Sequence, residues 1–407
     1  MVGWVRLFWD MVQRTEPDSI PLSSPAVEAA VQAALVGRPG GESIPGDPGD
    51  VVAALVRLGL AGLVVSQAEA RGESVDRSFG AASGEALRSV ARRAGFETTL
   101  RLESGRRARG ILEAAGVPVL LFKGAALVES GAYADVRARP MSDVDLLVPP
   151  EGAGAAVRAL EAGGFRSWEP WTEEHPVWVS AFALDDGDAP PGVTATVDLH
   201  WATDYGRLRH APDWPGETLW EDRSGEDRDG ALPSPEAHFV LTVEHFLKHL
   251  RVTVHLLSVA DLVRLLPRLG RPDEIVRQAE RRGTLPGVRA MVGALELLGA
   301  SVPSELADAL GGAGRLRIEA RRAHLELRAI LVRAEKGGRW QDWRTLRGGW
   351  GTVAEAARVL APPAAWLRAR YPAGSGTLAR RARYLRDCLR WVASGGGSPL
   401  SPNQEVG

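Results

Sequence analysis

The sequence predicts an α+β fold in which a small mixed β-sheet, with helices on one side, is flanked by helical regions at both ends of the chain. Three observations predict it. Short β-branched and aliphatic runs are concentrated in residues 117–201. Segments with the apolar spacing of helices precede and follow that stretch. No sequence pattern repeats at a fixed period, which argues against a solenoid.

Residues 1–105 are predicted to form an N-terminal helical region. The segment "SPAVEAAVQAALVG" begins with a Ser-Pro signal for helix entry and ends at glycine. The segment "GDVVAALVRLGLAGLVVSQAEARG" repeats the apolar period of a helix and also ends at glycine. A last, arginine-rich helix is expected to end at Gly116, and its arginines are interpreted as a solvated face.

Residues 106–232 are predicted to form the β-containing core. Proline opens the first strand, "VPVLLFKG", glycine closes it, and the short helix "AALVESGAY" follows. A second strand, "VDLLVPP", stops at two prolines, and the helix "EGAGAAVRALEAGGF" stops at glycines. Two further strands, "PVWVSAFAL" and "GVTATVDLHW", are separated by a turn-rich segment. The predicted order is therefore β-α-β-α-β-β.

The rest of the chain is predicted to be helical until its tail. Residues 233–300 are expected to form a helical subdomain that closes a cleft over the core. Residues 301–392 are expected to form a C-terminal helical region. Residues 393–407, "GGGSPLSPNQEVG" with its flanks, are expected to be a flexible tail.

Composition narrows the functional classes. The 407 residues carry a net charge of −2, so nothing indicates a strongly basic nucleic-acid surface. A single cysteine, Cys388, excludes a disulfide framework within one chain and a zinc site made of several cysteines. A reducing, cytoplasmic setting is the simplest interpretation. No apolar run reaches 18 residues, so no membrane span and no membrane partner are expected.

Two acids stand two residues apart in an otherwise apolar strand, "RPMSDVDLLV". Successive side chains of a strand alternate between its faces, so Asp143 and Asp145 project together. Carboxylates so close repel each other unless a cation lies between them. A hard divalent cation such as Mg²⁺ would remove the repulsion, and it takes one or two protein carboxylates together with substrate phosphates.

A third acid in a strand, Asp198 of "TATVDLHW", would complete a site of the two-metal type that clamps the attacking and leaving oxygens of a phosphoryl displacement. Adjacent strands could bring it beside the pair. The turn after the first strand, Lys123-Gly124, would offer backbone N–H groups and an ammonium to phosphate oxygens. A D-x-D motif by itself occurs on many surface strands, so the prediction depends on the combination and its order.

These residues resemble a known family. "VPVLLFKGAALVESGAY", "RARPMSDVDLLV", "GGF" and "VDLHW", in this order, are similar to the uncharacterised bacterial nucleotidyltransferase family of the polymerase-beta-like superfamily. The clear similarity covers about residues 111–202. Where the wider superfamily has Gly-Ser in the turn, this sequence has Lys123-Gly124, so a serine contact to phosphate is replaced by something that lysine supplies.

The resemblance implies a role for each motif. Asp143, Asp145 and Asp198 would be catalytic metal ligands for Mg²⁺ or Mn²⁺, and Asp198 would also activate the incoming nucleophile. The nucleotide-binding residues would be Lys123, Gly124, Arg139, Ser142 and Lys248. For Arg139, a brace for the strand is as good an interpretation as phosphate contact. His200, two residues after Asp198, would share its face and orient the acid or contact substrate, unless it only packs.

The segment "HFVLTVEHFLKHL" places histidines at steps of seven and four on one helical face. The glutamate of an H-E-x-x-H zinc protease is absent, because Phe246 stands there. His245 and His249 are candidate accessory residues, and the resembling family tends to carry residues that match His245, Lys248 and Asp261. A helix that packs on the sheet with ordinary histidines is the competing interpretation.

The predicted function is transfer of a nucleoside monophosphate from a nucleoside triphosphate to an acceptor, with release of pyrophosphate. The acceptor stays open between a small molecule, a protein and an RNA end. A nucleotide-binding or scaffold protein without turnover on the same fold is one alternative. A toxin-like enzyme that modifies tRNA is another.

Overall fold

The computed structural model describes residues 25–36, 47–167, 179–184, 196–201, 220, 232–249, 256–282, 284–321, 376, 378–383 and 386. These residues fall into two compact units. The first unit draws them from Met1–Arg107, Leu120–Leu146 and Gly216–Arg339. The second draws them from Ala108–Val119, Leu147–Pro215 and Trp340–Gly407. The predicted flexible tail, 393–407, lies outside the described residues, as does most of the predicted C-terminal helical region.

The first unit is built mainly of helices, whose bounds are as follows. They are α1 (Pro25–Val36), α2 (Pro48–Arg57), α3 (Ala61–Ala70), α4 (Val75–Phe79), most of α5 (Ala81–Ala114), α6 (Lys123–Glu129), α8 (Pro235–His249), α9 (Leu256–Leu265), α10 (Pro272–Arg281), α11 (Leu285–Leu298) and α12 (Ser304–Ala309). One apolar core joins the helices before residue 92 with those after residue 232, so these distant parts of the sequence bury each other's apolar faces.

The predicted helix over residues 50–72 is two helices, α2 and α3. Gly59 breaks it with a φ of +71°, a conformation that favours glycine. The bend between the two helices is 110°. Among the described residues no single helix is long and apolar enough to span a membrane, and α2 and α3 meet that length and composition only as this bent pair. The arginine-rich helix α5 ends as predicted, just before Gly116 with its φ of +72°.

The second unit contains α7 (Ala153–Ala162) and three short strands, β3 (Phe165–Ser167), β4 (Val179–Leu184) and β5 (Thr196–His200). Strand β4 is antiparallel to both β3 and β5. The register pairs Ala181 with Asp198 and Phe182 with Val197. The sequence patterns did not predict β3, a three-residue strand that begins directly after the glycine stop of α7.

Two more strands precede these in the chain, β1 (Leu120–Phe122) and β2 (Asp143–Leu147). The five strands form one sheet in the order β1-β2-β5-β4-β3. The predicted α+β class, with a small mixed sheet and flanking helices, is confirmed. The order matters for function because β2 and β5, the two strands that carry acids, are neighbours.

Candidate functional site

The acidic strand β2 has one polar and one apolar face. Asp143 is half-buried and Asp145 is only 4% exposed, whereas Val144 and Leu146 are fully buried. Helix α5 packs tightly against the apolar side: a Cβ added to Gly105 would lie 2.6 Å from a methyl of Val144. The alternation of the strand therefore directs both carboxylates to the face away from that helix.

The two carboxylates lie close together in a partly buried place, which is costly unless one of them holds a proton or a cation binds. Burial and then the charge of Asp145 raise the pKa of Asp143, while Lys123, a hydrogen bond from Ser142 and Arg139 oppose that rise. Asp145 forms an ion pair with the ammonium of Lys123. The hydrogen bond from the exposed Ser142 thus stabilises the ionised form of Asp143. Negative charge so close together in a partly buried place favours a bound cation.

Strand β5 contributes the second polar face. Asp198 is half-buried and His200 is 3% exposed, with Val197 and Leu199 fully buried between and beside them. The backbone N–H of Val148, just after β2, donates to the carbonyl oxygen of His200 at 2.8 Å. Asp198 and His200 are two residues apart and share a face of the strand, as the sequence predicts.

Among the described residues, one group of side chains has the composition and spacing of a metal site: Asp145, Asp198 and His200. Each offers one ligand atom, and these atoms lie within 4.8 Å of one another. Mg²⁺ prefers ligand sets made only of oxygens, so two carboxylate oxygens and an imidazole nitrogen suit it less well. The same mixed set suits Mn²⁺. The donor set therefore fits a divalent cation. It includes His200, and it does not include Asp143, one of the three metal ligands that the sequence predicts.

The turn after β1 is held in an unusual backbone conformation. Lys123 has a φ of +54°, and among the described residues no other residue except glycine has a positive φ. Its ammonium contacts Asp145 and lies 5.1 Å from the centre of the Phe122 ring. Helix α6 begins at this residue, so its first N–H groups and the lysine lie at the same end of the helix.

Arg139 has protein partners on every side. Its Nε and Nη2 donate to the two carboxylate oxygens of Asp261 at 2.7 and 2.9 Å, and its Nη1 donates to the carbonyl of Pro140 at 2.7 Å. Despite desolvation, the pKa of Arg139 is raised, chiefly by the charge of Asp261. A Cβ on Gly124 would lie 3.2 Å from this guanidinium, so glycine permits the close contact. These contacts favour the bracing interpretation of Arg139.

Helix α8 carries the predicted histidine face. His245 is half-buried, and Lys248 and His249 belong to the last turn of the helix, with side chains outside the described part. His238, which begins the seven-residue step on the same face, is not among the candidate residues that the sequence predicts, and it is 3% exposed. Burial lowers its pKa to about 4. The seven-residue step places His238 on the histidine face, but helical spacing does not show which histidine of that face is buried.

A model of one known family matches residues 45–300, more than half of the chain. The match includes β1, β2 and β5 with the acids described above, and helix α8. No match was found among curated proteins or among solved structures. By the extent of the match and the motifs inside it, this chain belongs to the family described as uncharacterised nucleotidyltransferase.

Proposed function

We propose that the protein is a metal-dependent nucleotidyltransferase that moves a nucleoside monophosphate from a nucleoside triphosphate to an acceptor and releases pyrophosphate. The grouping of Asp145, Asp198 and His200 within 4.8 Å is the observation that carries the proposal. Membership of a nucleotidyltransferase family supports the reaction class.

In the proposed reaction, an acceptor oxygen forms a bond to the α-phosphorus while the bond from that phosphorus to the bridging oxygen breaks, and pyrophosphate leaves. Asp198 takes the proton of the acceptor hydroxyl. Asp145, Asp198 and His200 would hold the cation, with Asp143 adding negative charge beside them. A divalent cation bound there, Mg²⁺ or Mn²⁺, supplies electrostatic stabilisation of the phosphate oxygens.

Lys123 contributes a mobile positive charge to the proposed site. Its side chain is 23% exposed, against 6% for Asp145, so the ammonium reaches both the carboxylate and solvent. When a cation takes over the carboxylate, the lysine can turn to the phosphates. Most of the work is thus positioning and charge stabilisation, as in other phosphoryl transfers.

The first experiment measures turnover. The protein is incubated with Mg²⁺ or Mn²⁺, each of the four ribonucleoside triphosphates in turn and a cell extract as the acceptor source, and pyrophosphate is measured. Labelled α-phosphate on the nucleotide then shows which molecule receives it. Asp145→Asn is the test variant, and Asp308→Asn, an exposed acid on α12, is the matched control. Full pyrophosphate release by Asp145→Asn would refute the proposal.

Calorimetry distinguishes the alternatives. Nucleotide binding in the presence of Mn²⁺ without pyrophosphate release would favour a binding or scaffold protein. Growth arrest on expression, lost in Asp145→Asn, together with label on tRNA, would favour a toxin-like enzyme. Label on a small molecule or on a protein would identify the acceptor class.

A further inference from the structure

The strained conformation of Lys123 needs a cause in the surrounding structure. A left-handed backbone costs a residue with a side chain about 1 kcal/mol or more, so it persists only where neighbours hold it. Lys123 adopts it with a φ of +54° at the junction of β1 and α6. Asp145 holds the end of its side chain, but a side-chain ion pair does not by itself fix a backbone torsion.

Helix α8 supplies a backbone constraint through His238. The imidazole of His238 hydrogen-bonds to the backbone of Lys123, and only a carbonyl there can accept from it and favour the charged ring. Its Nε2 has no hydrogen-bond partner, so the donating atom is Nδ1. The ring is 3% exposed, and burial keeps its pKa near 4. At neutral pH it is therefore an uncharged donor with one N–H directed at the turn.

The two charged neighbours of His238, Asp261 and Arg139, form an ion pair with each other. Asp261, on α9, favours protonation of the ring, and Arg139 opposes it. The carboxylate of Asp261 accepts from Arg139 through both oxygens and from the hydroxyl of Tyr133 at 2.7 Å. Because Arg139 offsets the charge of this carboxylate and burial lowers the pKa of His238 further, the ring carries no second proton at neutral pH. The ring acts as a fixed polar anchor.

We infer that His238 is a positioning residue: it holds the Lys123 carbonyl, and with it the left-handed turn from which the ammonium reaches Asp145. The inference rests on the proposed function for one point, namely that the Lys123 ammonium acts on the nucleotide phosphates and beside the metal ion. Every contact that carries it lies within the first compact unit. A histidine that merely filled space on α8 would be replaceable by an apolar side chain with no effect on Lys123.

The lysine content allows a direct readout, because only Lys123, Lys248 and Lys336 are present. In protein labelled with ¹³C at lysine Cε, three signals are expected, assigned by Lys→Arg substitutions. The Lys123 ammonium lies 5.1 Å from the centre of the Phe122 ring, so its Hε protons should show a ring-current shift. His238→Leu removes the donor, and His238→Asn keeps an N–H near the Nδ1 position. Thr242→Val, which removes a hydrogen bond to the His238 carbonyl one turn later in α8, is the matched control.

We expect His238→Leu to move the Lys123 signal towards that of an unconstrained lysine, and to raise the KM for nucleoside triphosphate about tenfold at equal thermal stability. His238→Asn should restore both values in large part, and Thr242→Val should leave both unchanged. An unchanged Lys123 signal in a folded His238→Leu protein would overturn the inference.

A measurement on the wild type covers the case in which His238→Leu does not fold. ¹⁵N-histidine spectra report the tautomer, and the His238 signal is assigned by its absence from His238→Asn. The Nδ1–H tautomer at neutral pH supports the inference, and the Nε2–H tautomer refutes it. Neither the Lys123 signal nor the His238 tautomer needs turnover to be measured. Pyrophosphate release that survives in Asp145→Asn would therefore sink the proposed function while leaving this inference to its own result.

Discussion

Two buried ion pairs in the first unit show how differently this chain treats charge. Glu244 of α8 and Arg282, just after α10, are 6% and 4% exposed, and three N–H···O contacts of 2.7 to 3.0 Å join them. Asp145 and Lys123 are 6% and 23% exposed and meet through one ammonium, with Asp143 alongside. The first pair is matched charge for charge with planar, two-pronged geometry. The second has more acid than one lysine neutralises.

The difference separates a closed structural ion pair from the ion pair at the proposed site. The bidentate pair is balanced in charge, so a bound ion would not stabilise it further. Its burial fixes how two helices pack. The partly buried acids Asp143 and Asp145 are only partly compensated by one ammonium. A bound metal ion would therefore stabilise them. Substitutions at the two pairs should accordingly affect different properties of the protein.

Asp145→Asn gives the largest expected effect on activity. Removing a carboxylate that would hold the cation should lower pyrophosphate release by at least ~100-fold, as loss of a central electrostatic group does in other enzymes. The unfolding free energy should change little, because repulsion with Asp143 disappears together with the Lys123 pair. Steady-state pyrophosphate assays and urea unfolding measure the two quantities. A large loss of unfolding free energy with retained specific activity would contradict this expectation, because that is the pattern expected at the Glu244–Arg282 pair.

Glu244→Gln should give the opposite pattern. It leaves the Arg282 charge buried without its counter-ion, which typically costs about 3–5 kcal/mol of unfolding free energy. Activity per folded molecule should stay within a factor of about two, since neither residue belongs to the proposed site. Urea unfolding and active-site titration measure these quantities. A stable but inactive Glu244→Gln protein would show that this pair also serves catalysis.

The buried His238 predicts how stability depends on pH. Its pKa is about 4 in the folded protein, below the ordinary histidine value of 6.5. Between these two values the unfolded chain binds a proton on this histidine and the folded protein does not. The unfolding free energy therefore decreases as pH falls from about 6.5 to 4, by up to about 3 kcal/mol. Asp261, Arg139 and the Lys123 carbonyl face the ring and set this value. The unfolding free energy of wild type minus that of His238→Asn, measured by urea unfolding, should fall by that amount on acidification. A constant difference would contradict it.

Gly124→Ala is expected to have the smallest effect. The new Cβ would lie 3.2 Å from the Arg139 guanidinium, tighter than usual contact, so the guanidinium must shift by a few tenths of an ångström against its hold on Asp261. We expect a loss of less than about 1 kcal/mol in stability and a rise of a few-fold in the KM for nucleotide. Thermal unfolding and kinetics test it, with Gly110→Ala, where a Cβ meets nothing within 4 Å, as the control.

Local patterns predicted much of the fold and part of the site. Glycine stops and apolar spacing located α5, α7 and the strands that carry the acids, and strand alternation placed Asp143 with Asp145 and Asp198 with His200. The same patterns read α2 and α3 as one helix, because a glycine inside an apolar helical period does not reveal its φ. They also passed over β3, which is too short to show a period.

The sequence by itself determined which residue types could hold a cation and on which face of each strand they lie, because side-chain direction follows from the local backbone period. Only the tertiary structure decided the partners: Asp261 for Arg139, His238 for the carbonyl of Lys123, and His200 in the group with Asp145. Arg139 and Asp261 are 122 residues apart in the chain. Contacts over such separations depend on how whole helices and strands pack, which no local spacing encodes.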